Sequence, residues 1–223
     1  MVFLYHNDAH KSVVTLKGED YKYIVKVRRH QEGEHIALRS LAEPTLLSDY
    51  EITHIDGRSV TLTLVKTQTS IVSPEKDLHI GWCVIDSKSV EKVLATLNEL
   101  GVRSISFIYC ARSQRNFKPD LKRYNRILEA SNQQCGRSDF ITFHVYKSLE
   151  EFLKQTPNVV VFDFCDTPLK ETEGITDVLI GAEGGFSQEE KELLKSYEVF
   201  RLHTPLVLRS QSAVIALASK ILL

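Results

Sequence analysis

Leu179-Ile180-Gly181-Ala182-Glu183-Gly184-Gly185-Phe186-Ser187 carries an apolar strand into a glycine turn and on into the start of a helix. Leu208-Arg209-Ser210-Gln211-Ser212-Ala213 repeats the passage from strand end to helix start fewer than thirty residues later. Open α/β sheets bind their ligands in the loops at the carboxyl ends of the strands. Two such loops, both rich in small residues, predict a pocket for something flat. Glycine lets the backbone approach a ligand closely and adopt positive φ, and the first N–H groups of the following helix face the mouth of the turn. The first loop lacks the Gly-Lys-Ser/Thr of a P-loop. Its glycine spacing and its place late in the chain do not fit the dinucleotide fingerprint either.

Upstream, apolar strands alternate with helices. Strands are expected at Leu78–Ile85, Ser104–Tyr109, Ile141–Tyr146, Val159–Phe164, Asp177–Gly181 and Glu198–Leu202. Helices are expected at Ser87–Leu100, Asp120–Gln134, Ser148–Gln155, Gln188–Ser196 and Ser210–Leu223. Ser87 is the candidate N-cap of the first helix and Gly101 its stop. In the last helix, Ser210 or Ser212 is a candidate capping hydroxyl. Short, wholly apolar strands between helices indicate a parallel sheet covered on both faces.

The first seventy or so residues have a different rhythm. Val13–Leu16, His35–Arg39 and Tyr50–Thr53 have strand composition, and Val60, Leu62 and Leu64 alternate with Thr61, Thr63 and Val65. Period-two alternation marks half-buried strands. One helix is expected over Asp20–Arg29, and Thr69–Lys76 reads as a linker. The chain therefore divides into a β-rich domain over 1–70 and an α/β domain over 71–223.

The chain is long enough to bury a core without staples. Its net charge is −1, but the window Arg112–Arg126 holds six basic residues and one acid, leaving the remainder at −6. Concentrated positive charge is the footprint of a phosphate-binding surface. Cys83, Cys110, Cys135 and Cys165 are too scattered for a zinc site or a disulfide framework. They are expected to be reduced, packed thiols in a cytoplasmic protein, and no metal is signalled. The N-terminus is too polar for a signal peptide, and no apolar run reaches membrane-spanning length.

The motifs resemble those of the RsmE family of SPOUT-class RNA methyltransferases. Ile180–Ser187 with Glu190 departs from the family's I-G-P-E-G-G-F-S-x-x-E only at Ala182. Thr204–Ala213 is similar to L-G-x-R-I-L-R-T-E-T-A: it keeps Leu208, Arg209 and Ala213, with Thr204 for glycine, Leu206 for arginine and Gln211 for glutamate. Glutamine cannot accept a proton as a carboxylate does. Arg123-Tyr124-Asn125-Arg126-Ile127 and Gln134-Cys135-Gly136-Arg137 resemble R-W-x-K-I and Q-C/S-G-R, and Val27–Glu34 resembles V-L-R-x-x-x-G-D.

The resemblance implies a SPOUT-type parallel sheet with a C-terminal trefoil knot and a small N-terminal PUA-like β-barrel domain. General topology rules would not suggest the knot. It implies transfer of a methyl group from S-adenosylmethionine to uridine N3 of 16S rRNA in the small ribosomal subunit, by a homodimer. Carried over, Leu179, Ile180, Gly181, Gly184, Gly185, Leu202, His203, Thr204, Leu206, Leu208, Ser210 and Ala213 would hold the cofactor. Arg209 and Glu183 would serve catalysis. Arg28, Arg29, Arg112, Arg115, Arg123, Arg126 and Arg137 would contact RNA. Two other readings share these motifs: a non-catalytic RNA-binding assembly factor, and a SPOUT enzyme acting on another RNA such as tRNA.

Overall fold

The computed structural model describes residues 2–114 and 116–223. It divides into two compact units. One holds the residues up to Ser73 together with Asn132–Asp139; the other holds Pro74–Ser131 and Phe140–Leu223.

In the first unit the chain forms β1 (Leu4–Tyr5), β2 (Val13–Lys17), α1 (Gly18–Tyr21), β3 (His35–Arg39), β4 (Leu46–Ile55) and β5 (Ser59–Thr69). The strands make one sheet in the order β1-β3-β4-β5-β2. All its pairs are antiparallel except the short β1–β3 pair. Alternation works as the sequence implies: in β2, Val14 and Leu16 are buried while Val13, Thr15 and Lys17 are exposed. They pack with Ile24, Leu38, Tyr50, Ile52, Val60 and Leu62 in one core.

The helix expected over Asp20–Arg29 changes pitch. After α1 it widens into π-helical turns over Lys22–Val27, with Arg28 N–H bonded to the Tyr23 carbonyl at 2.9 Å. Arg29, at φ 61°, ends it in the left-handed region. Asn132–Asp139 joins this unit through backbone bonds no local signal encodes: Val2 N–H to the Gln133 carbonyl at 2.8 Å and Ser138 N–H to the Val72 carbonyl at 2.8 Å.

The second unit follows the α/β rhythm. Its elements are β6 (His79–Cys83), α2 (Ser87–Leu100), β7 (Ser104–Ile108), α3 (Leu121–Cys135, whose last turn falls among the residues of the first unit), β8 (Thr142–Tyr146) and α4 (Leu149–Gln155). Then come β9 (Val160–Phe162), β10 (Asp177–Ile180), α5 (Gln188–Leu194), β11 (Val199–Phe200) and α6 (Ser210–Leu222). The sheet order is β11-β9-β10-β6-β7-β8, and every pair is parallel. The chain builds β6, β7 and β8 outward in one direction, then places β9, β10 and β11 on the other side of β6. Growth therefore reverses at β6, and a crevice opens outside the carboxyl ends of the strands beside such a reversal.

Two local expectations need correction. The N-cap of α2 is Asp86, whose carboxylate accepts Ser89 N–H at 3.0 Å, rather than Ser87. A carboxylate one residue earlier reaches the third N–H of the helix, and Gly101 stops the helix at φ 99°. Cys83 and Cys110 are joined as a disulfide. Cys83 ends β6 in register with Ile108, which ends β7 two residues before Cys110, so the fold brings the two cysteine Cα atoms to 5.8 Å although 27 residues separate them. Cys135 and Cys165 are free thiols.

Candidate functional site

Three strands end at one place. β9 is followed by Asp163 and Phe164, β10 by the glycine loop, and β11 by the segment Arg201–Leu208 that leads into α6. Together they enclose a cavity in the second unit. Of the residues proposed from sequence, Ile180, Gly181, Gly185, Leu202, Thr204, Leu206, Leu208, Ser210, Ala213 and Glu183 line it.

The glycine loop is built by backbone economy. Gly185 N–H closes a turn on the Ala182 carbonyl at 2.9 Å, with Gly185 at φ 66°. A Cβ on Gly181 would lie 3.2 Å from Gly185 Cα, so the two limbs of the turn approach more closely than a side chain ordinarily tolerates. Phe186 is buried in the sheet core behind the loop. Ser187 and Glu190 then start α5 with a capping box in which each side chain satisfies the other residue's backbone N–H.

The start of α6 is fixed from inside. Ser210 is its first residue and is buried. Its hydroxyl accepts the Trp82 indole N–H at 2.8 Å and donates to the Gly181 carbonyl at 2.8 Å. It does not cap the helix, as the sequence suggested, because both of its hydrogen-bonding directions are used to join α6, β6 and the glycine loop. Arg209 occupies the N-cap position without a side-chain cap. Its neighbours Leu208 and Ser210 line the cavity, while its own side chain is exposed outside the lining. Glu183 stands exposed at the rim.

Other expected residues lie elsewhere. Leu179 is fully buried in the sheet core, because successive strand residues face opposite ways. His203 is exposed outside the lining. Gly184 faces away from the cavity, and a Cβ there would meet Arg112 Cδ at 3.1 Å.

Among the basic residues, Arg126 is exposed. Arg123 is also exposed but pairs with Glu91 at 2.6 Å, and that contact holds its guanidinium above the usual arginine range. Arg137 is buried against Asp139 at 2.5 Å, so its side chain is not offered to a phosphate. Arg112 donates to the Gly184 carbonyl. Arg115 lies outside the described residues. In the first unit, Arg28 and Arg29 are exposed at the end of the π-helical turns, with Arg28 5.7 Å from the Tyr23 ring centroid.

Sequence reasoning missed Phe162, Asp163, Phe164 and Arg201, which line the cavity together with Ala182 and Val207. The available signal was that Asp163 follows a third apolar strand, so it too lies at a carboxyl end. Asp163 is nearly buried and faces Lys191 at 3.4 Å. Phe164, Leu206 and Val207 are exposed apolar residues at the mouth.

At the opposite, amino-terminal edge of the same sheet, Ser106 Oγ lies 2.7 Å from His79 Nε2, and His79 Nδ1 lies 2.9 Å from Asp177 Oδ1. The spacing is that of a nucleophilic triad. Ser106, however, has no exposed surface, so the relay ties the starts of β6 and β10 to the middle of β7 rather than meeting a substrate. Among the described residues, no three His, Cys, Asp or Glu side chains group as metal ligands, and no helix is long and apolar enough to cross a membrane.

A family model described as an RNA methyltransferase domain matches residues 73–222. A ribosomal RNA small subunit methyltransferase E of Helicobacter pylori is 36% identical over 98% of each chain. One from Buchnera aphidicola is 24% identical over 92% of this chain and 87% of its own. Among solved structures, a methyltransferase of Legionella pneumophila bound to S-adenosylmethionine superimposes with a TM-score of 0.76 at 20% identity, covering 99% of this chain and 96% of its own. A ribosomal RNA small subunit methyltransferase E of Neisseria gonorrhoeae, also bound to S-adenosylmethionine, gives 0.76 at 17% identity with the same coverage.

Proposed function

The chain belongs to the RNA methyltransferase family and, within it, to the ribosomal RNA small subunit methyltransferase E proteins, and from that premise we propose that it methylates N3 of a uridine in 16S rRNA. The observation that carries the reading is the convergence of the glycine loop and the start of α6 on one apolar cavity, held together by the Ser210 hydroxyl.

The cavity fits S-adenosylmethionine. Ile180, Leu202, Leu206, Leu208 and Ala213 offer an apolar wall to a planar ring. Gly181 and Gly185 present bare backbone, and Asp163 supplies a carboxylate for a cationic ligand. When bound, S-adenosylmethionine supplies a methyl group activated by a sulfonium.

The chain's own residues do the rest. Uracil N3 is a poor nucleophile while protonated, so the site must favour its anion. Arg209, exposed beside the cavity mouth, offers a guanidinium to the oxygen that gains charge. A donor placed at a developing oxyanion is worth about 10²–10³ in kcat. Holding the base in line with the methyl group contributes up to roughly 7–11 kcal/mol. Phe164, Leu206 and Val207 shield the mouth from water. N3 lies on the Watson–Crick edge, so the uridine is unpaired or flipped out when it reacts. Arg28, Arg29, Arg112, Arg115, Arg123 and Arg126 attract the phosphate backbone.

The proposal extends to a PUA-like first domain, a trefoil knot in the second, a homodimer and a cytoplasmic location. The test is methyl transfer from labelled S-adenosylmethionine to small subunits lacking the modification, with naked 16S rRNA and tRNA alongside. N3-methyluridine in 16S rRNA is expected. Label only in tRNA, or on another atom, would discard the substrate.

A further inference from the structure

The glycine loop is held by Ser210, which bonds the Gly181 carbonyl, and also by the loop after β7. Glu190 needs only one carboxylate oxygen for its capping box, where Oε2 accepts Ser187 N–H at 2.8 Å. Its other oxygen accepts Ala111 N–H at 2.7 Å, a residue 79 positions away in the loop after β7. The carboxylate is buried, so both bonds are shielded from water. The next residue, Arg112, donates to the Gly184 carbonyl. Its aliphatic stem covers Gly184 so closely that a Cβ there would lie 3.1 Å from Cδ.

The anchoring loop is itself stiff. The buried Ser113 hydroxyl accepts Cys110 N–H at 2.9 Å and donates to the Ile108 carbonyl at 3.2 Å. Gly184 sits between Glu183 and Gly185, which both line the cavity. Arg112 also opens the basic run that ends at Arg126.

We propose that Arg112 and Glu190 are positioning residues that hold the glycine loop in its cofactor-binding shape, and that they couple cofactor affinity to RNA contact on the basic run. This rests on the proposed methyltransferase activity. The sign of the coupling is positive. A guanidinium has five N–H donors, so Arg112 can meet a phosphate without releasing Gly184, and RNA that orders the loop lowers the ordering cost left to the cofactor. Linkage then requires the cofactor to raise RNA affinity by the same factor.

The experiment is calorimetric titration of S-adenosylmethionine into the full chain, without RNA and then with a 16S rRNA fragment. In the absence of RNA, Arg112→Ala and Glu190→Gln are expected to weaken cofactor binding roughly tenfold, the loss of one or two charge-assisted bonds. Arg112→Lys, which keeps a donor for the Gly184 carbonyl, recovers most of it. With the rRNA fragment present, the wild type is expected to bind S-adenosylmethionine several-fold more tightly, and Arg126→Ala, which weakens RNA binding, to lose that gain; equal cofactor affinity with and without bound RNA overturns the coupling. In turnover, Arg112→Ala raises KM for S-adenosylmethionine more than it lowers kcat. Arg112 is exposed, so its variants fold even if Glu190→Gln does not. Wild-type affinity for the cofactor in RNA-free Arg112→Ala, with only RNA binding reduced, overturns the proposal and leaves the enzyme reading intact. Failure of the wild type to bind S-adenosylmethionine overturns both.

Discussion

Replacing Ser210 by alanine tests the joint on which the site is built. The hydroxyl satisfies two buried groups at once, the Trp82 indole N–H and the Gly181 carbonyl. Trp82 has no exposed surface, so no water takes the place of the lost acceptor. A buried donor left unpaired costs about 1–3 kcal/mol. The carbonyl loses one of its two acceptor sites, a smaller term. The sum is about 1–4 kcal/mol of unfolding free energy, a sizeable share of the 5–15 kcal/mol of a typical domain.

Trp82 is the chain's single tryptophan, so its fluorescence reports this unit directly during urea unfolding. The expected result is a lower midpoint at unchanged slope, together with a raised KM for S-adenosylmethionine as the glycine loop loosens. A double-mutant cycle with Trp82→Phe, followed by circular dichroism, isolates the pair. Without the indole donor, Ser210→Ala costs about 1 kcal/mol less or better. A loss below roughly 0.5 kcal/mol in the wild-type background, within the range of neutral surface changes, would refute the reasoning, because the hydroxyl would then be dispensable to both partners.

Arg209→Ala is expected to lower kcat about 10²–10³-fold and to leave S-adenosylmethionine affinity unchanged in calorimetry; normal turnover would remove Arg209 from catalysis. Gly181→Ala pushes a methyl group against Gly185 Cα and should raise KM for the cofactor, measured at saturating RNA. The hydrogen bond from His79 holds the Asp177 carboxyl below its ordinary value of 3.8. That stabilisation is fully present above 3.8 and is lost as pH falls through the lower folded-state value; thermal melts should show Asp177→Asn losing less stability than wild type on acidification below 3.8. Alkylation under denaturing conditions should modify Cys135 and Cys165 without reductant, and Cys83 and Cys110 only with it, read by peptide mass.

The sequence by itself determined what depends on near neighbours. The period-two runs of Val13–Leu16 and Val60–Leu64 and the apolar strand at Asp177–Ile180 emerge where their patterns place them. So does the stop at Gly101, because period and turn chemistry act within a few residues. The glycine loop and the α6 start were legible for the same reason, and their motifs carried the family.

Tertiary structure decided what depends on partners far along the chain. It placed Asn132–Asp139 with the first unit and bonded Cys83 to Cys110. It turned the second oxygen of Glu190 toward Ala111 and buried Arg137, which the family resemblance had put among the RNA contacts. Each outcome hangs on which partner the packed chain delivers; a one-dimensional pattern records the group but not what it will meet.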